Sequence, residues 1–377
     1  MEFANIGQLE AEIIRMTLNL FNASEEACGL TTSGGTESIL LAMLSYREWG
    51  RKRGITTPNI VAPVTAHAAF EKACFYFGIE IRKVPLKKDF VVDLKKMRKL
   101  IDSNTVSLEA SAPEYGFGMY DPVPEIAALA LEYNINCHSD CCLGSYINPF
   151  TEEAGFKLPH LYDFKVPGVT SISCDPHKFC FGPKGCSVIM FRTNELRRNT
   201  FYTITGWTGG MYVTPTIAGS RSGAVITGTW AALMKQGREG FLDKTKDLLT
   251  AAKKIREEIK KIPGVILISD HDTTVVSFTS DVVNSVAIND LMHKRHRWML
   301  NTIQLPLSSH LVVTDANAQA WKEFAPALRD CVEYLKQNPE ENNRGDAALY
   351  GMSEKIPNKG VVGDFLLFYL DAVLDVV

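Results

Sequence analysis

Four short stretches of the sequence carry residue types able to do chemistry. In Ser33-Gly34-Gly35-Thr36-Glu37, two glycines and a hydroxyl stand directly ahead of an apolar-periodic run. Glycines at such a place expose backbone N–H groups, and a helix N-terminus favours an anion, so the stretch is a phosphate cradle in outline. It lacks the Gly-Lys-Ser/Thr ending of a P-loop, and a capped helix after a tight turn accounts for the same residues. Asp140 closes a short apolar run at 135–140. A carboxylate at the carboxyl end of a parallel strand sits where open α/β sheets bind ligands, and it is equally placed to cap the next segment. Lys178 ends Ser173-Cys174-Asp175-Pro176-His177-Lys178 and is followed by Phe179-Cys180-Phe181. Partial desolvation there would lower its pKa and make the amine nucleophilic; the plain alternative is a surface lysine in a turn. His67, in Ala66-His67-Ala68-Ala69-Phe70, is either a packed or capping histidine or a ligand contact.

Taken together, a phosphate cradle, a strand-end carboxylate and a strand-end lysine 38 positions later are what pyridoxal phosphate requires. Lysine forms the Schiff base, the carboxylate pairs with the protonated pyridine nitrogen and keeps the ring an electron sink, and the helix N-terminus holds the phosphate. No His/Cys spacing with metal-ligand character occurs, so no metal is expected.

The elements that must position these residues follow a simple rhythm. An amphipathic helix spans 7–22, with Leu9, Ile13, Met16 and Leu20 at helical spacing; a Gly/Ser/Thr loop covers 30–35, and a second helix runs from 36 to 53. Strands are expected at 59–62, 79–84, 105–110, 135–139 and 169–174, and helices at 66–77, 94–103 and 124–133. Such alternation predicts an α/β fold with a mostly parallel sheet, and the close return at 187–191 predicts one antiparallel neighbour. Beyond about residue 230 the pattern changes to a long charged helix (242–262), strands at 265–269 and 273–280, a helix at 287–294, a strand near 311–314 and two closing helices. The expected organisation is therefore a large α/β cofactor-binding domain over 1–232 and a small α+β domain over 233–377.

Composition narrows the partners. The chain has 377 residues, 40 Lys+Arg against 43 Asp+Glu, 46% apolar and 22% charged residues, which excludes collagen-like, disordered and low-complexity classes. A net charge of -3 argues against nucleic acid as a partner. The Lys-rich run at 86–100 reads as a solvated helix face with Leu94, Met97 and Leu100 turned inward. Nine scattered cysteines point to reduced thiols, not a disulfide framework. Neither the first twenty residues, with three Glu and one Arg, nor the closing FLLFYLDAVLDVV suits a signal peptide or a bilayer span, so the chain as it stands is expected to be cytoplasmic.

Five stretches carry a resemblance to a known family: LTTSGGTESILLAM, NIVAPVTAHAAFEKACFYFGI, DPVPEIAALALEYNINCHSDCCLG, GVTSISCDPHKFCFGPKGCSVIMF and GWTGGMYVTPTIAGSRSG, with weaker markers LNTIQLPLSSH and ALYGM. They resemble the pyridoxal-phosphate-dependent group II decarboxylase superfamily, and within it the sphingosine-1-phosphate lyases, over nearly the whole chain. The resemblance implies the pyridoxal-phosphate fold type I and a homodimer. It implies Lys178 as the Schiff-base lysine, His177 beside the phosphate, Asp140 on the pyridine nitrogen, His67 on the ring face, and Gly35 and Thr36 on the phosphate. Gly219 and Ser220, followed by Arg221, would close the phosphate site from the partner subunit. Tyr212 and Lys184 would sit near the substrate, handling protons or its phosphate. The implied reaction cleaves a phosphorylated long-chain base between C2 and C3 to a fatty aldehyde and phosphoethanolamine. An amino-acid decarboxylase, or an inactive shortened relative, are the alternatives, and the GSRSG and GPKG stretches favour the lyase.

Members of that family carry a segment ahead of the residues matching 1–12, with a membrane anchor in the eukaryotic enzymes and a stretch that embraces the partner subunit. The expectation for this sequence is thus a partial or shortened product. A longer one carrying the anchor would sit at the endoplasmic reticulum membrane. At the cofactor, Cys141 replaces the usual Ala and is expected against the ring; Pro176 replaces a Thr, Phe117 a His, and Phe179-Cys180 a Tyr-Gly pair.

Overall fold

The computed structural model of the chain describes residues 4–345, 347 and 359–375; the ALYGM marker at 348–352 lies outside them. Internal contacts divide the chain into two units, residues 1–249 with 271–273, and residues 250–270 with 274–377.

In the first unit, helix α1 (Ala4–Leu20) leads into strand β1 (Cys28–Thr32), α2 (Gly35–Arg51), β2 (Asn59–Pro63), α3 (Ala68–Phe77), β3 (Glu80–Val84), α4 (Leu94–Leu100), β4 (Thr105–Ser111), α5 (Val123–Glu132) and β5 (Asn136–Asp140). A long loop then reaches β6 (Ser171–Cys174), the single turn α6 (Pro176–Phe179), β7 (Ser187–Phe191), α7 (Asn194–Arg198), the hairpin β8 (Tyr202–Trp207) and β9 (Gly210–Thr214), and α8 (Gly223–Ile259), whose residues from 250 onward belong to the second unit. Seven strands form one sheet in the order β1-β7-β6-β5-β4-β2-β3. β2 to β6 are parallel, and β7 runs antiparallel to both β6 and β1, as the short Gly/Pro return at 182–185 requires. The strands β2, β4 and β7 are buried along their whole length, the mark of a sheet covered on both faces. Part of their apolar cover is α2 with α3, where Leu41, Met43, Tyr46 and Phe70 pack with Ile60, Val106, Ile189 and Phe191.

β1 is a correction. The sequence predicts a loop over 30–35, and Cys28–Thr32 is instead a fully buried edge strand. Its Gly/Thr-rich sequence has no alternating pattern; the strand is defined by pairing with β7, some 160 residues later (Cys28 opposite Phe191). The hairpin β8–β9 also lacked a legible strand signal, because all but its last residue are exposed and no buried face imposes a period of two. On α4, Met97 is buried and the lysines face out, as the helical spacing predicts. The expected helix at 242–262 is the second half of α8, a longer helix interrupted at Gly237 (φ 58°).

The second unit contains a four-stranded antiparallel sheet in the order β10 (Val265–Leu267), β11 (Val275–Ser280), β13 (Leu307–Val312), β12 (Asn301–Gln304). Helices α9 (Ser285–His296) and α10 (Trp321–Gln337) cover it, with Phe324 set edge-on between Phe278 and Trp298 at ring distances of 6.3 and 5.1 Å. A last helix, α11, spans Lys359–Leu374. β12 was not expected from the sequence.

The chain thus has the expected mixed character, a large mostly parallel sheet and a small antiparallel one. An unusual feature is how polar the middle of the large sheet is. Ser107, Glu109, Asn136, His138, Ser139, Asp140, Ser171 and Ser173 are all buried. Groups of this kind are expensive to bury and are found where they have work to do or partners to satisfy them.

Candidate active site

The carboxyl ends of β5 and β6 and the N-terminus of α2 meet at a cavity of about 340 Å³. Its walls include Gly34, Gly35 and Thr36 from α2, His67 from the start of α3, Asp140 from the end of β5, and Asp175, His177 and Lys178 from the turn after β6. Six residues singled out from the sequence, Gly35, Thr36, His67, Asp140, His177 and Lys178, are therefore brought together. Tyr212, Lys184, Gly219 and Ser220 do not line this cavity. Ser220 and Arg221 line a neighbouring one of about 260 Å³ that shares Ser33 and Glu37. A Cβ at Gly219 would stand 2.7 Å from the Tyr212 hydroxyl, and Lys184 Nζ donates to the His177 carbonyl at 3.2 Å.

Local rules explain the placement. α2 begins at Gly35 with no side-chain cap, so the N–H groups of its first turn have no partner within the helix and face the cavity end. Glu37 reaches back to the Ser33 N–H at 2.7 Å and holds the turn closed. Gly35 has to be glycine, because a Cβ there would lie 2.7 Å from Cys142 Sγ and 2.8 Å from Asp175 Oδ2. His67 caps α3, its Nδ1 accepting from the Ala69 N–H at 3.1 Å. Asp140 ends β5, and its Oδ1 accepts from the Cys142 N–H at 3.0 Å and the Ser173 hydroxyl at 2.8 Å.

The electrostatics of the cavity differ from the sequence expectation at one point. Burial does act to lower the Lys178 amine, but Cys142 and Asp175 outweigh it and hold the ammonium above the usual lysine range. Of these, the direct contact is an ion pair, Nζ to Asp175 Oδ2 at 2.8 Å. Burial acts to raise Asp140 as well; His138 and the Cys142 N–H act against it, and the carboxyl is held below its ordinary range. Since burial also pulls His138 down to about 4, that ring is neutral at neutral pH, and there the hydrogen bonds from Cys142 and Ser173 are what keep Asp140 ionised. His177 is lowered by burial and by the positive charges of Lys184 and Lys178, against Asp175.

Two residues with a place in this site, Asp175 and Ser173, were not picked out. Asp175 precedes Lys178 by one helical turn, a spacing that could have signalled the ion pair. Ser173 lies two residues ahead of it on the same face of β6 as Ser171. Cys142, not Cys141, lines the cavity: the period of two carried on from β5 puts Cys142 with Asp140 and Cys141 with Ser139, and Cys141 is fully buried with Sγ 3.4 Å from the Ser139 hydroxyl. Pro176 is the first residue of α6, and Phe117 is buried edge-on to Phe90 at 4.9 Å; neither lines the cavity.

The residues present fit pyridoxal phosphate on observations independent of any relative. Gly35 keeps clear a space that a Cβ would take from Cys142 and Asp175, and Asp175 Oδ1 and His177 Nδ1 are buried without a hydrogen-bond partner beside it. An amine and an ionised carboxylate border the same cavity.

The match to known proteins agrees. Residues 5–281 match the pyridoxal-dependent decarboxylase conserved domain. The chain is 42% identical to a sphingosine-1-phosphate lyase of Oryza sativa over 98% of its length and 69% of that relative, and 41% identical to that of Saccharomyces cerevisiae over 98% and 64%. A solved sphingosine-1-phosphate lyase from Burkholderia pseudomallei superposes with a TM-score of 0.90 at 35% identity, covering 99% of this chain and 82% of the other. Glutamate decarboxylase of Lactobacillus brevis, at 21% identity and a TM-score of 0.79, shares the fold. The fold and site define a pyridoxal-phosphate enzyme of the group II decarboxylase class, and the chain belongs, within that class, to the sphingosine-1-phosphate lyase family. It spans about two thirds of the length of the curated relatives it matches.

Proposed function

We propose that the chain is the catalytic core of a lyase that cleaves sphingoid-base 1-phosphates between C2 and C3, giving a fatty aldehyde and phosphoethanolamine. One observation carries the reading: Lys178, Asp140 and the open N-terminus of α2 border one cavity in a chain about 40% identical to sphingosine-1-phosphate lyases across nearly its whole length.

Lys178 would hold pyridoxal phosphate covalently, Asp140 would face its ring nitrogen, His67 its ring, and Gly35, Thr36 and His177 its phosphate. Bound there, the cofactor supplies a conjugated ring that accepts the electron pair left when the C2–C3 bond breaks. The chain's own part is positioning and charge. The unpaired N–H groups of the first turn of α2 and its dipole favour a dianion. Asp140 supplies a fixed negative charge, already desolvated and hydrogen-bonded, so it needs no reorganisation during the reaction. Asp175 Oδ2 accepts a proton of Lys178 Nζ, and the amine has to shed its proton before it is nucleophilic. Tyr212 and Lys184 are assigned to the substrate, for proton handling and for its phosphate.

A homodimer is part of this proposal, with Gly219 and Ser220 closing the phosphate site of the partner subunit. In support, those residues do not line their own cavity, and the hairpin beside them exposes Tyr202, Trp207, Met211 and Val213.

The test is a product measurement. Protein loaded with pyridoxal phosphate and given sphingosine 1-phosphate is expected to release fatty aldehyde and phosphoethanolamine in equal amounts. Carbon dioxide from amino acids with no aldehyde would make it a decarboxylase. Bound cofactor with neither product would make it a non-catalytic relative.

A further inference from the structure

We propose that His138, buried two residues ahead of Asp140 on β5, is a positioning residue for the cofactor's ring nitrogen: it turns the Ser173 hydroxyl onto Asp140 and so fixes that carboxylate in place. The inference rests on the reading above, that Asp140 faces the ring nitrogen.

β5 and β6 run parallel, with His138 beside Ser171 and Asp140 beside Ser173. Residues two apart on a strand share a face, so the four side chains lie together. Ser173 Oγ is 2.8 Å from Asp140 Oδ1, and a carboxylate can only accept. The single proton of Ser173 therefore lies on that bond, and its contact to His138 Nε2 at 3.1 Å needs an N–H from the ring. A neutral ring protonated at Nε2 leaves Nδ1 as an acceptor, and it takes the proton of Ser171 Oγ at 2.7 Å. Ser171, having donated, accepts from the Tyr46 hydroxyl. Every donor in the row Tyr46, Ser171, His138, Ser173 points towards Asp140. The reverse order would spend the Ser173 proton on Nε2 and take a charge-assisted bond away from the carboxylate, the stronger acceptor.

The surroundings keep the row in this state. His138, Ser171, Ser173 and Tyr46 are all at 0% exposure, and Phe70 sets its edge against the His138 ring at 5.7 Å. Glu109, opposite His138 on β4, is pushed up by burial to about 8 and is neutral at neutral pH, as His138 is. Asp140 is then the one charge on this stretch of the sheet, and its Oδ1 is held by two donors. A row of uncharged donors with one direction orients a carboxylate without competing for the positive partner it faces.

The experiment uses full-length holoenzyme loaded with cofactor isotope-labelled at its ring nitrogen and read by NMR, alongside a thermal melt. The wild type is expected to show a protonated ring nitrogen. His138→Leu and Ser173→Ala are expected to shift the signal towards the unprotonated position and to lower kcat about tenfold or more, with KM little changed. His138→Gln keeps an N–H towards Ser173 and is expected to restore the protonated signal. A residue that only filled the core would lower the melting temperature and leave the signal alone. Folded His138→Leu and Ser173→Ala proteins that both keep the wild-type signal would overturn the inference. Ser173→Ala, which removes a single oxygen, carries the test if His138→Leu fails to fold. Asp140→Asn separates the two levels. If it too leaves the signal unchanged, the assignment of Asp140 is what fails; if it alone shifts the signal, the role of His138 fails and that assignment stands.

Discussion

Asparagine in place of Asp140 is expected to lower kcat/KM by about 10²–10³-fold while the protein stays folded. The side chain is buried, and its Oδ1 accepts from Cys142 N–H and Ser173 Oγ, two bonds that an amide oxygen accepts equally well. The change therefore removes charge and little else. In a water-excluded site that charge has no substitute, since His138 and Glu109, its nearest titratable neighbours on the sheet, are both neutral at neutral pH. Because the folded site holds the Asp140 carboxyl below its ordinary range, the ionised form adds to stability at neutral pH, and the variant's melting temperature is expected to fall somewhat below that of the wild type. Steady-state kinetics with a thermal melt check both halves. Undiminished activity would remove Asp140 from the mechanism.

A second large effect concerns stability. Burial pushes the Glu109 carboxyl from 4.5 to about 8; the Ser107 hydroxyl bond lowers it and the charge of Asp140 raises it again. Folding thus favours the neutral acid. Its contribution is fully present below about pH 4.5 and is lost as the pH rises through about 8, where the buried group ionises. Glutamine keeps the shape and the acceptor for Ser107 but has no proton to lose. Glu109→Gln is expected to be more stable than the wild type by about 2–4 kcal/mol above pH 8 and nearly equal to it below pH 4.5. Glu114 and Asp121, each pushed up to about 7 chiefly by burial, will leave the variant a smaller slope of the same sign. Denaturant unfolding across the pH range reads this directly, and parallel profiles for the two proteins would contradict it.

Much of this arrangement is legible in the sequence because local signals carry it. The parallel strands fall within two residues of their expected places, since each is a short apolar run between turn signals and a periodic helix. Asp140 and Lys178 could be placed at strand ends by the same means. Two things could not. β1 exists only through its pairing with β7, which no local window contains. The charge on Lys178 depends on Asp175, whose carboxylate reaches it only because α6 makes a turn there; apolar neighbours alone suggested a lowered amine. Similarly, His138 reads as one more residue of a strand until Ser171 and Ser173 are set beside it in register.

Reductive trapping is the most direct measure of the central claim, that Lys178 carries pyridoxal phosphate in the cavity between β5, β6 and α2. Loaded protein would be treated with borohydride, digested, and its peptides mapped by mass spectrometry. The expected result is cofactor fixed to the peptide holding Lys178 and to no other, with the visible absorbance of the loaded protein absent from Lys178→Ala. Cofactor fixed at a different lysine, or an equally coloured Lys178→Ala protein, would contradict the account.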